Sequence, residues 1–292
     1  VLLTRETLIR LERLVVLARR APAPAPRRAR RRPGRGVEPG ARRDYTPGDD
    51  VRLVDWPAYA RLERLLLKVV ETLPEPRLDL VLDGSASMAR GDPSPHLRAA
   101  LCAAAFAASA VAREVRVAVW WAGQPEARAQ LARPGELVRL LRFLAERAPA
   151  GQSALGATAA RIGATGGARA SAVVLTDGLD PTSTAEAARR LRARGFRAIV
   201  VVCEPTQELL PGDAAAAAEA SFVELVDAET GAVRRVPYAA GVLEAARAAR
   251  GARVQALARR CDALGVPLEH LPPDAPFEAL AAAWLRRAAG GV

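Results

Sequence analysis

The residues best placed to do chemistry together are Asp83, Ser85 and Ser87, in the stretch Leu-Asp-Leu-Val-Leu-Asp-Gly-Ser-Ala-Ser-Met from Leu78 to Met88. In an extended loop, residues two apart point the same way, so one carboxylate and two hydroxyls can converge on one point. These are hard oxygen ligands. They suit Mg²⁺ or Mn²⁺, ions that keep bound waters and can leave a coordination position open for an incoming group. The run before them, Leu78, Leu80, Val81 and Leu82, predicts a strand covered on both faces by helices. The polar residues begin where that strand should end, and in an open α/β sheet ligands bind outside the carboxyl ends of the strands. The alternative for Asp83 is the commoner role of an Asp after a strand, a helix N-cap or a turn residue.

The elements that must position this loop follow from the pattern on either side. Thr4 to Arg19 reads as a helix with Thr4 as its N-cap. After the loop, His96 to Arg113 is helical, Val115 to Trp121 a strand, Gln130 to Arg133 the end of a hairpin partner, and Pro134 to Arg147 a helix. A helix to about Thr165, the strand Ala172 to Thr176, a helix from Asp180 and the strand Arg197 to Cys203 come next. This alternation predicts an α/β fold with a doubly wound, mostly parallel six-stranded sheet. It breaks at Glu204: Ala214 to Ala220 is low in complexity, and Phe222 to Asp227 and Ala232 to Val236 flank Glu229-Thr230-Gly231 as a hairpin. A long helix from Ala239 to Leu264, the sixth strand from Val266 to Leu271 and a helix from Pro276 to Ala289 complete the chain. The expected organisation is an N-terminal helix and arm over 1–36, a satellite segment over 37–72, a core over 73–203, an insertion over 204–264, and the last strand and helix over 265–292. The insertion is expected to share one satellite with Val37 to Val70.

With 292 residues, 50% of them hydrophobic, the chain can bury one sizeable core plus a satellite. No apolar run approaches the roughly 20 residues that span a bilayer, and the first residues lack a signal-peptide centre, so the expected location is cytoplasmic. Cys102, Cys203 and Cys261 are widely spaced in apolar surroundings and read as buried thiols rather than a disulfide framework or zinc site. The net charge of +11 would normally raise nucleic acid as a partner, but only Lys68 among 43 basic residues is a lysine, which reads as a coding bias toward arginine. Against that bias the single Lys68 suggests a place that wants a compact ammonium. Ala21 to Pro26 and the basic run Arg27 to Arg35 read as an arm, either a solvated tail or an electrostatic contact for an acidic partner or phosphate backbone.

A second motif runs from Arg43: Arg-Asp-Tyr-Thr-Pro-Gly-Asp-Asp-Val-Arg-Leu-Val-Asp-Trp, then Ala60-Arg61 and Lys68. Pro47-Gly48 suits a type II turn. Asp49, Asp50 and Asp55 interleave with Arg43, Arg52 and Arg61, which reads as a small fold pinned by charge-assisted hydrogen bonds. With the Asp-x-Ser-x-Ser loop at Asp83, this pattern resembles the domain-of-unknown-function fifty-eight family, von Willebrand factor A-like proteins often encoded beside MoxR-type AAA+ ATPases. The first loop resembles the metal-ion-dependent adhesion site of such domains. The resemblance implies two further ligands. Ser153, in Gly151-Gln152-Ser153-Ala154-Leu155, stands where the family has a Thr, and Asp177, after the strand ending at Thr176, supplies the third loop. Ser153 has an alternative role as the N-cap of the helix that follows. The chain departs from the family pattern at Glu38-Pro39-Gly40, where an aromatic usually follows the Glu, and after Lys68, where an acidic run is reduced to Glu71.

The expected function is a metal-dependent protein-interaction adaptor. Mg²⁺ or Mn²⁺ held by Asp83, Ser85, Ser87, Ser153 and Asp177 would offer its open position to an acidic side chain of a client. The resemblance implies a MoxR-type AAA+ ATPase as partner in protein assembly or maturation. The alternatives are nucleic-acid binding through the basic arm and metal-dependent hydrolysis. The enzyme reading is disfavoured because the only histidines, His96 and His270, lie near no nucleophile pattern, and because no phosphate-binding glycine loop is present.

Overall fold

The computed structural model describes residues 2–21, 39–70, 76–123, 126–165, 170–204, 222–237 and 242–290. The basic arm and the alanine-rich stretch at 214–220 lie outside them. The chain divides into two compact units, residues 25–75 and the remainder.

The larger unit is built on a six-stranded sheet. Its strands are β3 (Arg77–Asp83), β4 (Arg116–Ala122), β5 (Ala127–Leu131), β6 (Ala170–Thr176), β7 (Arg197–Cys203) and β10 (Leu268–Leu271), in the order β10-β7-β6-β3-β4-β5. β5 pairs antiparallel with β4, and the other neighbours run parallel. From β3 the chain winds outward to β4 and β5, then returns to β6 and winds the other way. The carboxyl ends of β3 and β6 therefore flank the topological switch point, where open sheets of this kind bind ligands. The fold is the doubly wound, mostly parallel α/β class expected from the alternation, in agreement with the von Willebrand factor A-like fold that the resemblance implies.

Both faces are covered because side chains alternate along each strand. Leu78, Leu80 and Leu82 enter a core formed with α1 (Arg5–Arg20), α3 (Pro95–Val111), α4 (Leu137–Ala145) and α8 (Ala279–Gly290). Val81 enters a second core with α5 (Leu155–Ala164), α6 (Pro181–Ala193) and α7 (Val242–Ala263). Asp79, on this second face, is buried yet partnered: it accepts from Trp120 Nε1 at 2.9 Å and from Arg77 Nε at 2.7 Å. α1 is capped by Thr4, whose hydroxyl accepts from the Thr7 amide, and it buries Leu11, Leu14 and Ala18. α3 starts at a Ser94 cap with Pro95 in its first turn, and its run of buried alanines lets it pack closely on the sheet. Cys102, Cys203 and Cys261 are buried free thiols. No helix among the described residues is long and apolar enough to cross a membrane.

The insertion departs from expectation. The hairpin of β8 (Phe222–Val226) and β9 (Val233–Pro237), together with α7, belongs to the sheet's compact unit rather than to a satellite shared with residues 37–70. The physical reason lies in α7. Leu257 and Cys261 are buried in the second core, Val266 follows them there, and Arg260 Nη1 donates to Thr182 Oγ1 of α6 at 3.0 Å.

The smaller unit pairs β1 (Pro39–Asp44) antiparallel with β2 (Leu66–Val70), with α2 (Trp56–Leu62) between them. The Pro47-Gly48 turn forms as expected: the Asp49 amide donates to the Thr46 carbonyl at 3.0 Å, and Gly48 has φ of +106°. The Arg43 guanidinium grips Asp49 with two hydrogen bonds, and this contact above all holds the Asp49 carboxyl well below the usual carboxylate range. Asp50 and Asp55 cap the short 3-10 turn Val51–Leu53 and α2. Asp55 takes its arginine from Arg42 at 2.8 Å, not from Arg52 or Arg61, because Arg42 lies on the β1 strand beside it. The charged segment is thus structural, as expected. Lys68 pairs with Arg42 in the ladder, and its side chain lies outside the described residues.

One pH effect follows from the first core. His96, in the opening turn of α3, is packed edge-to-face on Trp121 with ring centroids 5.3 Å apart, and burial lowers its pKa from the ordinary 6.5. A depressed imidazole stabilises the fold above its ordinary pKa, and that contribution is lost as pH falls through it. Between about pH 7 and pH 5 the thermal midpoint of the wild type should therefore fall more, or rise less, than that of His96→Gln. An unchanged slope in the variant would assign the acid sensitivity elsewhere.

Candidate metal centre

β3 delivers Asp83 to the carboxyl edge of the sheet, and β6, its neighbour, delivers Thr176 and Asp177 beside it. Asp83, Ser85, Ser87 and Asp177 are all buried although all are polar. Asp83 is fixed through both oxygens: Oδ1 accepts from the Ser85 amide at 3.1 Å, and Oδ2 accepts from Thr176 Oγ1 at 2.9 Å. The Asp83 turn is real, but the side chain caps no helix. Ser85 Oγ and Ser87 Oγ lie 3.1 Å apart, so the two-residue spacing does converge the hydroxyls.

Asp177 is the decisive residue. Its Oδ1 accepts from the Leu179 amide at 2.9 Å, whereas Oδ2 is buried with no hydrogen-bond partner among the described residues, the residue as a whole being 2% exposed. Buried carboxylate oxygens without a partner are costly and call for an explanation. Burial first, and then the charge of Asp177, push the Asp83 carboxyl up to about 7. Arg250 donates to the Asp177 backbone carbonyl at 3.3 Å. Two buried acids, an orphaned oxygen and adjacent hydroxyls fit a hard divalent cation. Among the described residues no three Asp, Glu, His or Cys side chains gather closely enough to hold an ion by themselves, so the hydroxyls are a necessary part of the donor set.

Residues 41–256 match the family described as protein of unknown function DUF58. The chain belongs to the DUF58 family. Uncharacterized proteins of Mycobacterium tuberculosis and Mycobacterium bovis are 30% identical to it over 249 residues, covering 83% of this chain and 76% of theirs. Among solved structures, an aerotolerance-related membrane protein from Bacteroides fragilis aligns at a TM-score of 0.46 with 15% identity, over 74% of this chain and 98% of that one. BatB from Bacteroides thetaiotaomicron aligns at 0.45 with 14% identity, over 74% and 100%.

In this DUF58 chain the second loop is tied to the first by backbone bonds: the Ala150 amide donates to the Gly84 carbonyl at 2.8 Å, and the Ala86 amide to the Gly151 carbonyl at 2.9 Å. Ser153, half-buried, lies with its Oγ 3.4 Å from Ser183 Oγ in the first turn of α6. It is not a helix cap, since α5 begins after Ala154 with no side-chain cap bond. The structure thus links Asp83, Ser85 and Ser87 by hydrogen bonds, brings Asp177 within electrostatic reach of Asp83, and sets Ser153 against α6.

Three residues of this DUF58 site carried no signal of their own. Thr176 reads as the end of a buried strand, and only the β3–β6 pairing turns its hydroxyl into the support of Asp83. Ser183 looks like an ordinary first-turn serine. Glu229, in the turn between β8 and β9, accepts a hydrogen bond from Ser87 Oγ at 3.2 Å across 142 residues of sequence.

Proposed function

We propose that this DUF58 protein is a metal-dependent protein-interaction module. Asp83, Ser85, Ser87 and Asp177, joined by Ser153, would hold Mg²⁺ or Mn²⁺ and present it to an acidic side chain of a partner. The observation that carries the reading is the unpartnered, buried Oδ2 of Asp177 beside the carboxyl of Asp83. When bound, the ion supplies a Lewis-acidic position that a carboxylate can fill. The chain's own residues do the rest. Thr176 and the Ser85 amide aim Asp83, the Leu179 amide holds one oxygen of Asp177 so that the other stays available, and Ser183 steadies Ser153.

The resemblance to proteins encoded beside MoxR-type AAA+ ATPases makes such an ATPase the partner to test, with this chain as adaptor in assembly or maturation of a further protein. No catalytic step is assigned to the site. The test is binding of the purified ATPase to the full chain in Mg²⁺ and in chelator, with Asp177→Ala alongside. Binding that needs both Mg²⁺ and Asp177 is the expected result. Binding that survives chelator would remove the metal from the interface, and a salt-sensitive complex with nucleic acid indifferent to chelator would replace the reading altogether.

A further inference from the structure

The insertion reaches the site from two sides. On α7, Arg250 donates to the Asp177 carbonyl, and a side chain at Gly178 would touch Val254 at 3.5 Å. From the hairpin, the turn between β8 and β9 presents Glu229 to Ser87. That turn is fixed locally. Asp227 Oδ1 accepts from the amides of Glu229 at 2.9 Å and Thr230 at 3.4 Å, the Gly231 amide donates to the Asp227 carbonyl at 2.9 Å, and Gly231 takes φ of +71°. Among its described side chains, Phe222, Val226 and Val233 are 49%, 55% and 62% exposed, so these do not anchor the hairpin. A lone two-stranded hairpin is marginal in water, so its polar turn matters for where it rests. Glu229 is nevertheless half-buried at the site, its carboxylate on the Ser87 hydroxyl and within electrostatic reach of Asp177 and Asp180. An acidic turn set into an acidic site is favourable when a cation lies between them.

Glu229 itself rests on Ser87 and forms no three-acid cage with Asp83 and Asp177. We propose that a bound ion draws Glu229 from Ser87 onto itself as a built-in ligand, holding the position that a partner's acidic side chain would take, so that the hairpin covers the site until a partner displaces it. The proposal rests on the metal reading above and adds to it a competitor supplied by the chain itself. It makes partner binding an exchange of one carboxylate for another. The exchange breaks no covalent bond and transfers no electrons.

The test uses Mn²⁺ as the probe, bound to the full-length chain and followed by water-proton relaxation, with sodium acetate as the competing carboxylate. Glu229→Gln keeps the side chain's size in an exposed turn that is held by Asp227 and Gly231, so the fold is retained. Bound Mn²⁺ should relax water faster in Glu229→Gln than in the wild type, by the contribution of one further inner-sphere water. Acetate should then reverse that gain in the variant and leave the wild type unchanged. Equal relaxivity in both proteins, with Mn²⁺ bound to each, would overturn the proposal while the metal reading stands. Absence of bound Mn²⁺ from both would overturn the two together. As an independent readout, amide hydrogen exchange across 222–237 in Mn²⁺ should quicken in Glu229→Gln, and identical protection would count against the proposal.

Discussion

At Mn²⁺ about a hundred times its dissociation constant, the wild-type thermal midpoint should rise by about 5–10 °C, and Asp83→Asn should lose that rise. An ion that binds only the folded state stabilises by about 2.7 kcal/mol at this saturation, and about 1 kcal/mol moves the midpoint of a domain this size by about 2–4 °C. Asn suits the test because it keeps the contacts that place Asp83. Its carbonyl oxygen can still accept from the Ser85 amide, and its amide can donate to the Thr176 hydroxyl that now donates to Oδ2. In chelator the variant should melt no lower than the wild type, because it removes one of two carboxyls buried without a cation among their hydrogen-bond partners. The check is a pair of melting curves in Mn²⁺ and in chelator. An equal Mn²⁺ shift in both proteins would place the ion elsewhere, and collapse of the variant in chelator would make Asp83 a folding residue first.

Gly84→Ala should be the most damaging single methyl added to the molecule's site loop. A Cβ at Gly84 would lie 2.6 Å from Gly123 Cα, 2.8 Å from Gly123 N and 2.9 Å from the Ala122 carbonyl oxygen, so the clash is with backbone that cannot rotate away. The same residue donates its amide to Ala122 at 3.1 Å and accepts from Ala150, tying β3, β4 and the second loop together. Relief requires the ends of β3 and β4 to part, which costs about 3 kcal/mol by analogy with overpacked cores. It also shifts Asp83 and Ser85, so Mn²⁺ affinity should fall with stability. Gly151→Ala is the contrast. There a Cβ meets nothing within 4 Å, and only the positive φ of +68° is strained, at about 1 kcal/mol. Chemical denaturation of the two variants separates the cases, and equal losses would refute the close-approach argument.

The parts of this architecture that were legible are those in which residue type and local order carry the information. β3, β6 and β7 announce themselves as apolar runs because both of their faces are buried, and the polar residues at the ends of β3 and β6 mark the switch point. Asp79 shows where that reasoning thins. It has the same side chain as Asp83, four residues earlier on the same strand, yet it is neutralised within the core by Trp120 and Arg77. Thr176 and Glu229 were not legible, because their roles arise from strand register and from a contact spanning most of the domain. The joint satellite was misplaced for a related reason. Nothing in the Ala/Arg composition of α7 says that Leu257 and Cys261 are its buried side, since its apolar residues mark no single stripe.

The tryptophans give the two units separate optical voices. Trp56 of the smaller unit is 59% exposed, whereas Trp120 and Trp121 of β4 are 6% and 2% exposed, one bonded to Asp79 and the other packed edge-to-face with His96. Trp284 of α8, half-buried with its ring centroid 6.0 Å from that of Phe106, is the fourth, so native emission blends a water-bathed indole, a half-shielded one and two shielded ones that sit one strand away from Asp83. Quenching by a dissolved ion should extinguish the long-wavelength part first, leaving a blue remainder that follows the sheet. Opening of the sheet around β4 and melting of the smaller unit can thus be timed in one cuvette, by colour, without a label.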